Sequence, residues 1–226
     1  RIFAISNIKD QGYSSPAGWQ PIAVTNEAPT IAPGNQGNTV TVEHGSSLNL
    51  MNLVTVRDKE DDKQATRGTR VHAEILSVND VATTKEVSTN RPGVYRVKYK
   101  AVDSQGKESG ETTVTVNVKP ETPTVTSTTT ENRILSTDKT LTGRGIAGAT
   151  VKVTVNNKVL KEVRVQPNGT WSVTLDKGFN SNNASNVGQL PEKDIVKVTQ
   201  SVDGVESSEN NVTVAVGDTR VQPSET

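Results

Sequence analysis

The run Gly93-Val94-Tyr95-Arg96-Val97-Lys98-Tyr99-Lys100-Ala101-Val102 puts Tyr95, Val97, Tyr99 and Ala101 on one side and Val94, Arg96, Lys98 and Lys100 on the other. That period of two is the signature of a half-buried β-strand and does not suit a helix. Pro92-Gly93 opens the run, and Asp103-Ser104-Gln105-Gly106 closes it as a turn. The first half of the chain is arranged around this strand.

The 226 residues suffice for two domains of ordinary size. Hydrophobic residues are 31% and aromatics 3%, with Thr, Val, Ser and Asn filling the remainder, as in extracellular all-β modules built from short strands. The 25 basic and 25 acidic residues cancel. This disfavours a general nucleic-acid or anionic-membrane binder, which needs a basic excess to displace counterions. There are no cysteines, which fits a cytosolic protein or a bacterial surface protein that never relied on disulfides. The Thr-rich, aromatic-poor composition favours the second. No signal peptide, membrane span or wall anchor is visible, and a chain opening at Arg1 in mid-pattern reads as a fragment.

Residues 1–25 read either as leading strands of the first domain, which is favoured, or as the remnant of a preceding module; Arg1–Ser6 and Ile22–Val24 are strand candidates. The first domain is expected over 26–119. Its strands are Thr39–Val42, Leu53–Val56 with an irregularity near Asn52, Thr69–Leu76, Lys85–Val87, the Tyr95 strand and Thr112–Val118. Seven or more such strands make a sandwich. Residues 120–123, with two prolines, form a stiff linker. The second domain is expected over 124–217, with an edge strand within Thr124–Glu131. Strands are predicted at Val151–Val155, Val159–Val165, Thr170–Leu175, Asp194–Gln200 and Asn211–Val216. The tail 218–226 is polar and expected to be mobile. The fold class is all-β, two tandem immunoglobulin-like β-sandwiches.

Several strings carry a resemblance. Gly143-x-Gly145-x-x-Gly148-Ala-Thr-Val-x-Val, then Asn168-Gly-Thr-Trp-Ser-Val173, then Val196-x-Val-Thr-Gln200 with Asp203-Gly204 resemble the bacterial Ig-like repeats of Gram-positive cell-wall proteins. Gly93-Val-Tyr-x-Val-x-Tyr-x-Ala-Val-Asp-x-x-Gly106 resembles bacterial Ig-like or cadherin-like modules, with Tyr95 at the strand-F position where a hydroxyl bonds back to the preceding corner. The pairing resembles the ligand-binding region of streptococcal serine-rich repeat adhesins, in which a Siglec-like sialic-acid-binding domain precedes a second small domain.

The Gly143-x-Gly145-x-x-Gly148 string matches a dinucleotide fingerprint as text, but β-branched residues follow it where that fingerprint needs a helix. The glycines are read as turn formers. His44 and His72 are the only histidines and are read as surface residues, so nucleophilic catalysis has little support and no enzyme activity is expected. The loop Asp58 to Asp62, approached by Asp103, is rich in oxygen ligands. Asp58, Asp61, Asp62 and Asp103 are therefore candidates for a structural Ca2+, against the plainer reading of a solvated loop balanced by Arg57, Lys59 and Lys63.

The resemblance implies an arginine projecting from strand F to pair with a sugar carboxylate. The relatives' nonpolar-Thr-Arg-x motif is missing from that strand, where Val94-Tyr95-Arg96-Val97 stands; literal matches fall at Ala65-Thr66-Arg67-Gly68 and Gly68-Thr69-Arg70-Val71. Candidate ligand-binding residues are Arg96, Lys98, Tyr95, Thr66, Arg67, Asn90 and Arg91. The loops Ser88–Arg91 and Ser104–Lys107 would frame the site. The plain alternative is that Arg96, Lys98 and Lys100 form an ordinary solvated face. The expectation is a monomeric, secreted, cell-wall-anchored adhesin region binding sialylated host glycans without covalent change. Its rivals are a passive stalk and an accessory module of a wall-bound glycosidase or protease.

Overall fold

The computed structural model describes residues 25–63, 70–128, 133–135, 138, 140–155, 157–174 and 195–215. The strand candidates Arg1–Ser6 and Ile22–Val24, the pair Thr66 and Arg67, and the tail 218–226 lie outside the described residues. The described chain is all-β and forms two tandem immunoglobulin-like sandwiches.

In the first, β1 (Thr30–Pro33) pairs antiparallel with β3 (Val54–Arg57). The facing sheet has the order β2 (Thr39–Val42), β6 (Thr112–Val118), β5 (Gly93–Val102), β4 (His72–Val78), with β2 parallel to β6. The alternation of β5 decides the core. Val97, Tyr99 and Ala101 are fully buried, and Val97 and Tyr99 pack with Val114, Val116 and Val118 of β6, while Arg96 faces solvent. Tyr95 is half-buried, and its hydroxyl donates to Arg91 O at 2.6 Å, the corner bond expected of that position. The buried Tyr99 hydroxyl donates to Leu50 O at 2.7 Å. It thereby ties β5 to a 3-10 turn at Leu50–Leu53, which is the irregularity expected near Asn52.

Two expectations need correction. The first sandwich has six strands among the described residues, not seven or more. Lys85–Val87 is irregular rather than a strand. Its lysine Nζ donates to Ile75 O and Leu76 O of β4, both at 2.8 Å. Consecutive strand carbonyls ordinarily point to opposite edges. The register shift between Ile75 and Ser77 lets one ammonium meet both, capping this edge where another strand would pair.

The second sandwich contains β7 (Thr124–Val125), β8 (Arg133–Leu135), β9 (Thr140–Arg144), β10 (Thr150–Val155), β11 (Lys158–Arg164), β12 (Thr170–Thr174), β13 (Ile195–Val202), β14 (Val205–Glu206) and β15 (Asn210–Ala215). One sheet runs β11-β10-β13-β15-β8, with β14 hairpinned onto β13; the other runs β12-β9-β7. Trp171, Leu141, Ile134, Val151, Val153, Val173, Val196 and Val198 fill the space between. A strand follows the glycine string, as the β-branched residues require. At Gly143 two backbones meet: an added Cβ would lie 1.9 Å from Thr124 O and 2.4 Å from Trp171 Cζ2. Only glycine permits that approach.

Candidate functional site

The outer face of β5 presents Arg96, Lys98 and Lys100, as its alternation dictates. Each has an acidic partner. Lys98 Nζ bonds Asp80 Oδ1 at 2.8 Å, and Arg96 Nη2 lies 3.8 Å from Asp80 Oδ2. Lys100 Nζ bonds Glu108 Oε1 at 2.5 Å, with Glu74 Oε2 at 3.9 Å. Asp80 is brought there by the Asn79-Asp80 turn after β4, where both residues adopt positive φ, a conformation that Asn and Asp tolerate. Asn79 docks that turn on β5: its N–H donates to Arg96 O at 2.9 Å, and its Oδ1 accepts from Arg96 N at 2.8 Å. The hydrogen bond and charge of Lys98 hold the Asp80 carboxyl below its ordinary range, and the same bond raises Lys98. The hydrogen bond to Glu108 raises Lys100. Arg96 is the most exposed of the three, its side chain 53% accessible.

The candidate ligand-binding residues do not converge. Tyr95 points into the sandwich, away from Arg96 and Lys98. Asn90 and Arg91 sit before the first residue of β5, and Ser104–Lys107 follow its last. A strand of that length spans roughly 30 Å, so the two loops frame opposite ends of the sheet and not one site. Thr66 and Arg67 lie outside the described residues. Asp80 is the residue that reading the sequence missed. Asn79-Asp80 is legible as a turn, but not as the partner of the cations.

The acidic residues gather beyond the far end of β5. Asp61 is buried and accepts from Ser104 N at 2.9 Å and Ser104 Oγ at 2.5 Å. Asp58, also buried, accepts from the N–H groups of Glu60 and Asp61 through Oδ1. Asp62 Oδ2 accepts from Asp58 N. Asp103 Oδ1 accepts from Gln105 N and Lys107 N, and its Oδ2 from Asn26 Nδ2 at 2.7 Å. Burial works against the Asp103 charge, yet the bond from Asn26 and those from backbone N–H groups hold its carboxyl below the usual range. Among the described residues no three His, Asp or Glu side chains are arranged to hold a metal. Most of these oxygens close turns or tie one segment to another instead. Asp58 Oδ2 and Glu60 Oε2 are the exceptions, buried with no hydrogen-bond partner.

The other end of β5 meets the second sandwich. Lys119 N–H donates to Val42 O at 2.9 Å, holding the linker to the first sandwich. Glu121 O accepts from Gln200 Nε2 at 2.7 Å and Pro123 O from Asn210 Nδ2 at 2.9 Å, holding it to the second. Pro120 and Pro123 are buried between these bonds. Lys119 Nζ reaches both Glu43 Oε1 at 3.0 Å and Ser208 Oγ at 3.1 Å. His44 Nε2 lies 3.9 Å from Glu121 Oε2. The Asp203-Gly204 hairpin abuts β5 at Gly93, where an added Cβ would be 3.1 Å from Asp203 Oδ2. A shallow cleft of about 450 Å³ runs between Thr41, Val94 and Asn117 on one side and Asp203 and Glu206 on the other.

Residues 120–215 match the family model of the bacterial Ig domain. The match begins at the buried Pro120 and ends at Ala215, the last residue of β15, so the matched stretch comprises the second sandwich and its linker. No curated protein matches the chain. Among solved structures, the chain is similar to the BSP domain of a biofilm-associated protein, at 20% identity and a TM-score of 0.35, over 60% of this chain and 21% of that one. It is also similar to a 1.5-MDa bacterial ice-binding adhesin, at 22% identity and a TM-score of 0.28, over 57% of this chain and 44% of that one. A third likeness is to the fibronectin(III)-like modules of Clostridium thermocellum CbhA, at 16% identity and a TM-score of 0.30, over 87% and 99%. The chain thus spans a minor part of the first and second of these proteins.

Proposed function

We propose that this chain is a stiff two-module segment of a bacterial cell-surface adhesin, outside the cell, acting by non-covalent contact and not by catalysis. The observation that carries this reading is the clamped linker. Its backbone is bonded to the first sandwich at Lys119 and to the second at Glu121 and Pro123, with both prolines buried between. Proline fixes φ, and each bonded carbonyl removes a rotation that a free linker would keep. The match of residues 120–215 to the bacterial Ig domain supports a bacterial surface setting, as does the Thr-rich, aromatic-poor composition. Small-angle X-ray scattering tests the stiffness. One orientation of the two modules should fit the whole curve; a curve needing a broad ensemble of orientations would sink the reading.

A second reading assigns glycan recognition to the outer face of β5, with Arg96 pairing the carboxylate of a sialylated host glycan. It rests on the exposed Arg96 guanidinium, whose contact to Asp80 at 3.8 Å is loose enough to exchange. Monomeric modules would bind weakly, and strong attachment would come from many copies on one cell. On a glycan array, sialylated spots should bind the chain and lose it with Arg96→Glu while keeping it with Lys152→Glu. Silence of the array removes this reading and leaves the stiff segment standing.

Calcium at the acidic end is a further part of the proposal. Asp58 Oδ2 and Glu60 Oε2 are buried acceptors with capacity left, and hard oxygen donors suit Ca2+. Millimolar Ca2+ should raise the melting temperature of the first module relative to a chelator, and Asp58→Asn should abolish the difference. An identical melting curve with and without Ca2+ counts against it.

A further inference from the structure

The second sandwich has an open cleft of about 600 Å³ where the edges of its two sheets, β11 and β12, face each other. Small-ligand clefts span roughly 300–1,000 Å³. Arg144, the last residue of β9, and Arg164, the last of β11, both line it, and none of the lining residues is acidic. Neither arginine has an ion pair among the described residues. This is the reverse of β5, where Asp80, Glu74 and Glu108 answer each cation.

Arg144 is also held in place. Trp171 Nε1 donates to its carbonyl at 3.2 Å, and its own Nη2 donates to Asn168 O at 3.2 Å. Its guanidinium rests on the turn at Gly169, where an added Cβ would come within 3.2 Å of Nη2. One donor is spent on the turn and the rest of the fork is left for a ligand. A preset guanidinium loses little freedom when it binds an oxyanion. Thr126, Thr142 and Thr170 add hydroxyls to the walls. Trp171 is only 2% exposed, so it forms part of the floor and is no stacking platform.

We infer that this cleft binds the acid group of a saccharide, a carboxylate or a sulfate, through Arg144 and Arg164, with the threonine hydroxyls meeting sugar hydroxyls. The absence of acidic walls selects an anion. An open cleft with threonine hydroxyls on its walls and the covered Trp171 ring beneath them suits a hydrated sugar. Binding is weak and falls with salt, because the charged contacts are open to solvent. This site is independent of Arg96 and of the stiffness of the linker.

The test is NMR titration of the whole 15N-labelled chain with sialyllactose, lactose sulfate and neutral lactose, at low and high salt. At least one acidic sugar should shift amides around Arg144, Arg164 and Thr170, more at low salt, while lactose leaves them still. Arg164→Gln, an exposed side chain with no ion pair among the described residues, should weaken that binding at least about tenfold with an unchanged melting curve. Arg96→Gln should leave it intact. The inference is overturned if neither acidic sugar binds, if lactose binds as well, or if Arg164→Gln binds like the parent. It is equally overturned if a short glutamate peptide binds as tightly as the sugars. Shifts confined to β5 and lost with Arg96→Gln would overturn it too, while upholding the other glycan reading.

Discussion

The outer face of β5 and the junction at residues 119–123 are both crowded with charge, yet they hold the molecule together very differently. On β5 the contacts run between exposed side chains of one module, such as Lys98 with Asp80 and Lys100 with Glu108. Exposed pairs of this kind are worth little, because water and salt compete for each partner. At the junction the contacts reach the backbone, with Lys119 N–H on Val42 O and Gln200 Nε2 on Glu121 O. Buried groups bonded to backbone leave an unsatisfied partner when removed, and that asymmetry makes them matter. The charges stand out in the sequence, but the joint is made by the amide side chains of Gln200 and Asn210, two buried prolines and the linker backbone.

The sharpest way to break this comparison is Gly143→Ala. Its new methyl would collide with Thr124 O at 1.9 Å and with Trp171, displacing β7, the strand that leaves the linker. The expected cost is about 3 kcal/mol or more, read by calorimetry as a fall in the second module's transition alone. Gln200→Leu comes next. Gln200 is fully buried, takes the Ile146 N–H at 2.9 Å and donates to Glu121 O. Leucine would orphan both, costing about 2–4 kcal/mol and loosening the linker in scattering. A Gln200→Leu chain as stable and as stiff as its parent would contradict the weight given to the junction.

Tyr99→Phe is expected to cost the first module about 1–2 kcal/mol, by leaving Leu50 O without its donor. The same phenol gives a pH signature. Burial pushes its pKa up to about 12, against roughly 10 in the unfolded chain. Its contribution is therefore complete below about pH 10 and is lost as pH rises toward 12. Denaturant midpoints measured across that window should fall more for the parent than for Tyr99→Phe. The smallest effect sharpens the other side of the comparison. Asp80→Asn removes the shared partner of Arg96 and Lys98, yet should move the melting temperature by no more than about 2 °C. A large drop would mean that the face of β5 is structural after all.

The fold was legible wherever alternation was strong. The run from Gly93 to Val102 predicts its buried and exposed sides residue by residue, and the Tyr95 corner bond follows from its position. Lys85–Val87 misleads because its lysine serves β4 through a bulge that sequence does not announce. The three-residue β8 is too short to show a period, and its parallel pairing with β15 is set by the tertiary fold alone. The candidate site was less legible. Facing along one strand can be read from spacing, and Arg96 and Lys98 do lie on the outer face of β5. Whether a cation is free depends on what the next turn brings to it, and Asp80 comes from another element. Arg144 and Arg164 escaped notice for the opposite reason, being separated in sequence and brought to one cleft by the closing of two sheets.

The account depends most on the two sandwiches moving together. 15N relaxation of the whole chain reads this directly, because each module reports its own rotational correlation time. We predict one shared value for the β-strand amides of both modules, and a shorter one for the second module in Gln200→Leu. Two distinct values in the parent chain, each near that of an isolated module, would contradict the account.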